Sequence, residues 1–143
     1  GGAVNNRSKR RKMSILISKH IVKQLSADPE IVKSVGDRIY PIVIPEGSNY
    51  PFIMFEDYGS GPETTKDGTC EDNASCNIAI VAKNYNEAVT VANKTRYVLE
   101  GKLARYDDFE VTECNLESWS KNYDADLPAY VVRLTLNFKT IDF

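Results

Sequence analysis

The 143-residue chain is 42% hydrophobic and carries 18 basic and 20 acidic side chains with a single histidine, amounts that suit one domain around one core. No apolar stretch approaches the roughly 18 residues a membrane span needs, and no signal-peptide pattern is present, so a cytosolic protein with no membrane partner is expected. Cys70, Cys76 and Cys114 are odd in number and lack CxxC spacing, which points to free thiols rather than a disulfide framework or a zinc site.

Charge is uneven along the chain. Residues 1–12 hold Arg7, Lys9, Arg10, Arg11 and Lys12 with no acid, leaving 13 basic residues against all 20 acidic ones in a body of net charge −7. A basic tail with little to bury reads as a disordered, solubilising segment; the functional alternative is an arm that binds a polyanion or an acidic partner. Residues 13–143 then form a single domain.

The first helix is expected from about Ser14 to Leu25, where Ile17, Ile21 and Leu25 fall at four-residue steps with Val22 beside them. His20 lies on this helix without a companion Cys, Asp or Glu pattern, which suits a surface or boundary residue better than a base or ligand. Asp28 as cap, Pro29 at the first helical position and Gly36 as a left-handed exit define a second, short helix. Ile39 to Ile44 is a β-branched and aromatic run, and Pro41 places it at a sheet edge or an irregular strand start. Asn49-Tyr50-Pro51 opens another strand, Phe52 to Tyr58.

Residues 59–75, GSGPETTKDGTCEDNAS, show no apolar period and read as a long hairpin loop. They match neither an EF-hand nor a phosphate-binding loop. Cys76 to Lys83 alternates as a strand. Asn86 is the expected cap of a helix running to about Gly101, with Ala88, Val91, Ala92, Thr95, Val98, Leu99 and Leu103 at helical spacing. Tyr106 to Leu116 and Leu127 to Phe138 are the last strands. In the second, Tyr130, Val132, Leu134, Leu136 and Phe138 face one way, and Val131, Arg133, Thr135, Asn137 and Lys139 the other. The intervening ESWSKNYDADLP reads as a polar connection whose Trp119 and Tyr123 either fold back on the core or anchor an interface.

No catalytic constellation emerges. The lone histidine has no nucleophile beside it, and the acidic pairs Asp107-Asp108, Glu71-Asp72 and Asp124/Asp126 sit in polar turns. No enzyme, cofactor or metal is expected. The eight tyrosines lack the interleaved arginines of a nucleic-acid surface.

Taken together, Ala27-Asp28-Pro29, Gly36-Asp37-Arg38-Ile39-Tyr40-Pro41, Pro45, Tyr50-Pro51-Phe52-Ile53 and the Asn86-Glu87-Ala88 helix start, in this order over residues 14–138, resemble the bacteriophage tail-completion proteins, also called tail terminators or head-tail joining proteins. The basic tail and the long 59–75 stretch depart from that pattern. The resemblance implies an α+β fold: a mostly antiparallel sheet of about four to five strands, two main helices on one face, and a long β-hairpin loop. It also implies a structural virion protein at the tail-head junction, assembled in the bacterial host cytoplasm. Its partners would be other copies of itself in a ring, a hexamer being one such ring, together with the tail tube protein and the head connector. No sequence-specific nucleic acid is implied, although DNA would pass the lumen. A head-to-tail ring needs two complementary patches per subunit. The candidates are Arg38 and Tyr40 by the edge strand, Thr64, Thr65 and Lys66 in the long loop, Trp119 and Tyr123, and Arg133, Thr135 and Asn137 on the wet face of the last strand. A monomeric adaptor domain, and a small enzyme or ligand-binding domain with a pocket around His20 or an acidic pair, are the competing readings.

Overall fold

The computed structural model describes residues 13–64 and 70–143. The basic residues Arg7, Lys9, Arg10, Arg11 and Lys12, and the candidates Thr65 and Lys66, lie outside the described residues. After a 3-10 turn at Met13–Leu16, the predicted apolar stripe forms one buried side of α1 (Ile17–Ser26), where Ile17, Ile21 and Leu25 are fully covered. His20 corrects the expectation of a boundary position, since its ring is completely enclosed. The reason lies in the tertiary structure: Tyr106, far along the chain, offers its hydroxyl to the imidazole and so satisfies one nitrogen.

Helix α2 (Pro29–Val35) forms as the sequence predicts. The Asp28 carboxylate accepts the N–H groups of Glu30 and Ile31, each at 3.0 Å, and Gly36 leaves the helix at φ +60°. Strand β1 is only Ile39–Pro41 and does not reach Ile44. Ile42 takes φ +67°, with its N–H donated to the Phe55 carbonyl at 2.8 Å, and the chain turns away there.

The polar stretch expected as a long loop is instead mostly strand. β2 (Phe52–Thr64) and β3 (Cys70–Ala82) remain paired from Phe52–Val81 out to Thr64–Cys70, with a bulge between Gly59 and Gly61. Ladder hydrogen bonds belong to the backbone, so a two-stranded extension can continue where no apolar face identifies it in sequence.

Helix α3 (Tyr85–Leu99) starts earlier than expected. Asn84, not Asn86, is its cap, accepting the Glu87 N–H at 3.1 Å. Asn84 and Glu87 stand at the spacing in which an acid also favours the first turn. Two further corrections follow. A two-residue strand β4 (Ala104–Arg105) precedes β5 (Phe109–Asp124), and β5 takes in most of the ESWSKNYDADLP stretch, so Trp119 and Tyr123 lie on a strand rather than in a connection. An edge strand exposed on both sides needs no apolar alternation, and this part of the sequence shows none. β6 (Ala129–Asp142) closes the fold.

The sheet has six strands in the order β1-β2-β3-β6-β5-β4. All neighbours are antiparallel except β1 and β2, so the sheet is mostly antiparallel as expected, but it has six strands rather than about four to five and one parallel pair. All three helices contribute to one core with one face of this sheet, where Ile53, Phe55, Ile78, Ile80, Leu134, Leu136 and Phe138 are buried. A smaller cluster of Phe52, Ala79, Val81, Ala129 and Val131 lies on the opposite face beneath Tyr40, Ile44, Tyr50 and Leu127.

Candidate interaction surfaces

Three surfaces follow from this geometry. The first is the sheet face turned away from the helices. Register aligns Glu56, Asn77, Thr135 and Ser118 in one row across β2, β3, β6 and β5, and Tyr58, Ser75, Asn137 and Asn115 in the next. Neutral amides and hydroxyls dominate and bond across strands: Thr135 donates to the Asn77 side-chain oxygen at 3.0 Å, and Ser75 to that of Asn137 at 2.7 Å. Arg133 donates to Asn122, and Lys139 lies 3.9 Å from Glu113. These contacts hold the face polar, ordered and close to charge-balanced.

The second surface is aromatic. On β5, Trp119 and Tyr123 are 57% and 55% exposed on the helix side of the sheet, where α3 does not cover them. Tyr123 meets Tyr130 edge to face at 5.1 Å, and Tyr130 meets Tyr85 at 5.7 Å. Lys121 extends over the rings of Trp119 and Tyr85, at 5.2 and 5.5 Å. Beside them runs an open groove of about 200 Å³ lined by Val89, Ala92, Arg96, Val132 and Leu134. Trp119 and Tyr123 therefore neither fold back on the core nor sit in a turn.

The third surface is at the other end of the sheet, where Ile42 and Val43 beyond β1, and Ile15 on the 3-10 turn, are exposed. The candidates nearby are engaged within the subunit. The Arg38 guanidinium donates to the carbonyls of Pro51 and Ser34 at 2.9 and 3.1 Å, bracing α2 against the start of β2. The Tyr40 hydroxyl bonds that of Ser48 at 2.8 Å. Thr64 ends β2. The structure thus brings Arg133, Thr135 and Asn137 together on the polar face, groups Trp119 with Tyr123, and places Arg38 and Tyr40 at the opposite edge. The sequence reading missed Lys121, Tyr85 and Tyr130, which join the aromatic cluster; the two-residue spacing of Trp119, Lys121 and Tyr123 puts them on one face only once this stretch is known to be a strand.

His20, Cys76 and Cys114 are poorly suited to chemistry at neutral pH. His20 Nδ1 lies 2.7 Å from the Tyr106 hydroxyl, which also accepts from Gln24, while Nε2 is buried without a partner among the described residues. Burial, helped by the positive charge of Lys102, lowers the His20 pKa to about 4. Burial also pushes the Cys114 thiol up to about 12 and Cys76 higher still, so neither is a thiolate nucleophile. Among the described residues, no three metal-ligating side chains converge and no helix is long and apolar enough to cross a membrane.

Comparison with known proteins bears on the same elements. The family model described as tail completion protein gp17 matches residues 19–141. A solved chain from a structure titled "Virion of native gene transfer agent (GTA) particle" superposes with a TM-score of 0.70, covering 85% of this chain and 91% of that one. At 13% identity that likeness establishes a shared fold. No curated protein sequence matches.

Proposed function

Because the chain belongs to the tail completion protein gp17 family of phage tail structural proteins, we propose that it caps the end of a tail tube as a ring and joins that tube to the head connector. The observation that carries this reading is the separation of exposed apolar surface to the two ends of the sheet: Trp119 and Tyr123 toward one edge, Ile42 and Val43 at the other. Two distinct patches per subunit are what a heterologous, closing assembly requires, whereas an isologous dimer needs only one. The polar sheet face suits the lumen. Its neutral amides and hydroxyls dominate and Lys139 stands beside Glu113, so DNA meets no continuous strip of positive charge to adhere to.

The tube protein and head connector would bind the two rims of such a ring, within a virion assembled in the host cytoplasm. The basic arm of residues 1–12 would contact phosphate or an acidic head-side partner, and its deletion is expected to weaken head joining while leaving the number of subunits in the ring unchanged.

The test has two parts. Light scattering behind a sizing column, across a concentration series, is expected to show a discrete multiple of the 16.1 kDa chain. Host extracts lacking the protein are expected to accumulate unjoined heads and tails, with joining restored by adding it. A monomer at every concentration, together with unaffected tails in its absence, refutes the proposal and favours the adaptor reading.

A further inference from the structure

Both long edges of the sheet end before they are covered. Strand β1 pairs with β2 only from Ile53 to Phe55, and β4 pairs with β5 only at Glu110 and Val111. Hydrogen bonds identify which backbone groups point outward. The Ile53 N–H donates to the Arg38 carbonyl, and the Phe55 carbonyl accepts from Ile42, so on β2 the odd-numbered residues face away from β3. The next two in that series are Asp57 and Gly59, just before the bulge. On β5 the Cys114 carbonyl accepts from the Gly101 N–H, and the Leu116 N–H donates to the Glu100 carboxylate. These residues stand opposite Phe138 and Leu136. Beyond the bulge at Leu116/Ser118, the same outward role passes to Trp119, Lys121 and Tyr123, opposite Leu134, Val132 and Tyr130. Among the described residues, no strand pairs with either outward series beyond these contacts. Exposed edges of this kind invite pairing with another chain.

We propose that copies of this chain join edge to edge, β5 of one against β2 of the next in antiparallel pairing, with Lys121 opposite Asp57 and Trp119 opposite Gly59. The inference rests on the ring reading above and specifies how the ring closes.

Four independent features converge on this register. The four long strands β2, β3, β6 and β5 alternate in direction, so the two edges run oppositely, and copies related by rotation meet antiparallel. Side chains also match. Lys121 and Asp57 both lie on the helix side of the sheet, giving a directly opposed ion pair, and Trp119 covers a glycine, a pairing that shields the bare backbone. Asp57 is half-buried with no cation in salt-bridge reach among the described residues, and burial raises its pKa, so a neighbour's ammonium supplies what its own subunit lacks.

Register supplies the fourth feature. Within one copy Lys121 is level with Val132, Ile80 and Ile53, so meeting Asp57 requires an offset of four residues across four strands. One residue per strand is the ratio of a closed eight-stranded barrel of shear 8, whose strands tilt by about 36°. A β-strand crossover such as β3 through α3 to β5 is right-handed by general rule, as is strand twist, and with both hands the offset has this sign only when the helices lie outside. The polar face then lines the hole.

Between the two hydrogen-bonded pairs, Tyr58 and Ser120 would face each other as a non-hydrogen-bonded pair with Cα atoms about 4.5 Å apart, within disulfide reach. Cys76 and Cys114 are buried. In a Cys70→Ser background, mild oxidation of the Tyr58→Cys/Ser120→Cys double variant should give a ladder of covalent multimers on a non-reducing gel, and neither single variant should. Dimers from Ser120→Cys alone, or a ring by light scattering without a ladder, would overturn the edge pairing while leaving the ring reading intact. Neither ring nor ladder would overturn both. As a second arm, Lys121→Pro and Asp57→Pro each remove one outward N–H without touching the internal ladder. Once circular dichroism shows both to be folded, each should be monomeric alone, and an equal mixture should form dimers and nothing larger; separate monomers in the mixture would count against the pairing.

Discussion

Lowering the pH should destabilise this protein through His20, and the size of the effect follows from its site. The imidazole is wholly enclosed, with Nδ1 on the Tyr106 hydroxyl and Phe138 edge-on to the ring at 5.9 Å. Its pKa is about 4 in the folded state, against 6.5 when exposed. The unfolded chain therefore takes up the proton first, and stability present above pH 6.5 is lost as pH falls toward 4. At about 1.36 kcal/mol per pKa unit, the full loss is about 3 kcal/mol, and about 2.5 kcal/mol is already gone at pH 4.5. Asp57 works in the opposite sense. Its raised pKa gives stability that is fully present below the ordinary carboxylate value and fades as pH rises through the folded one. The assay is urea denaturation at pH 7.0 and 4.5, for the native chain and for His20→Phe, at one protein concentration. Phenylalanine cannot titrate, and Tyr106 keeps its bond from Gln24. The variant should lose less than the native chain by about 2 to 3 kcal/mol. Parallel losses in the two proteins would refute the assignment, as would a His20 ring proton that titrates near 6.5 in the folded state by NMR.

Other expectations follow from single contacts. Asn84→Ala should cost about 1 kcal/mol in urea denaturation because it strips the cap from α3, whereas Asn86→Ala should cost no more than a few tenths. Phe138→Ala should cost about 3–5 kcal/mol, since the ring is buried between the sheet and His20. Cys76 and Cys114, held as thiols by burial, should resist iodoacetamide at pH 8 in the folded protein and react promptly in urea, as mass spectrometry of a Cys70→Ser variant would show.

Local chemistry makes several elements legible in the amino-acid sequence alone. Asp28, Pro29 and Gly36 bound a helix because cap, first turn and exit each depend on a residue's own backbone preference. The stripe of Ile17, Ile21 and Leu25, and the alternation of Val132, Leu134, Leu136 and Phe138, are equally readable, because a core leaves its period in the residues that enter it. Those same elements, with their order, carry the family resemblance that the family model bears out.

Where pairing rather than burial holds the chain, the sequence is silent. The outer halves of β2 and β3, and the Trp119 end of β5, are strands because a neighbour offers backbone hydrogen bonds, and that requirement places no apolar pattern on the side chains. His20 becomes a core residue only because Tyr106, 86 positions away, brings a hydroxyl to it. The two uncovered edges, and the register that aligns Lys121 with Ile53 across the sheet, depend on how four strands are staggered. Stagger is a relation between distant segments, so it enters only with the tertiary structure.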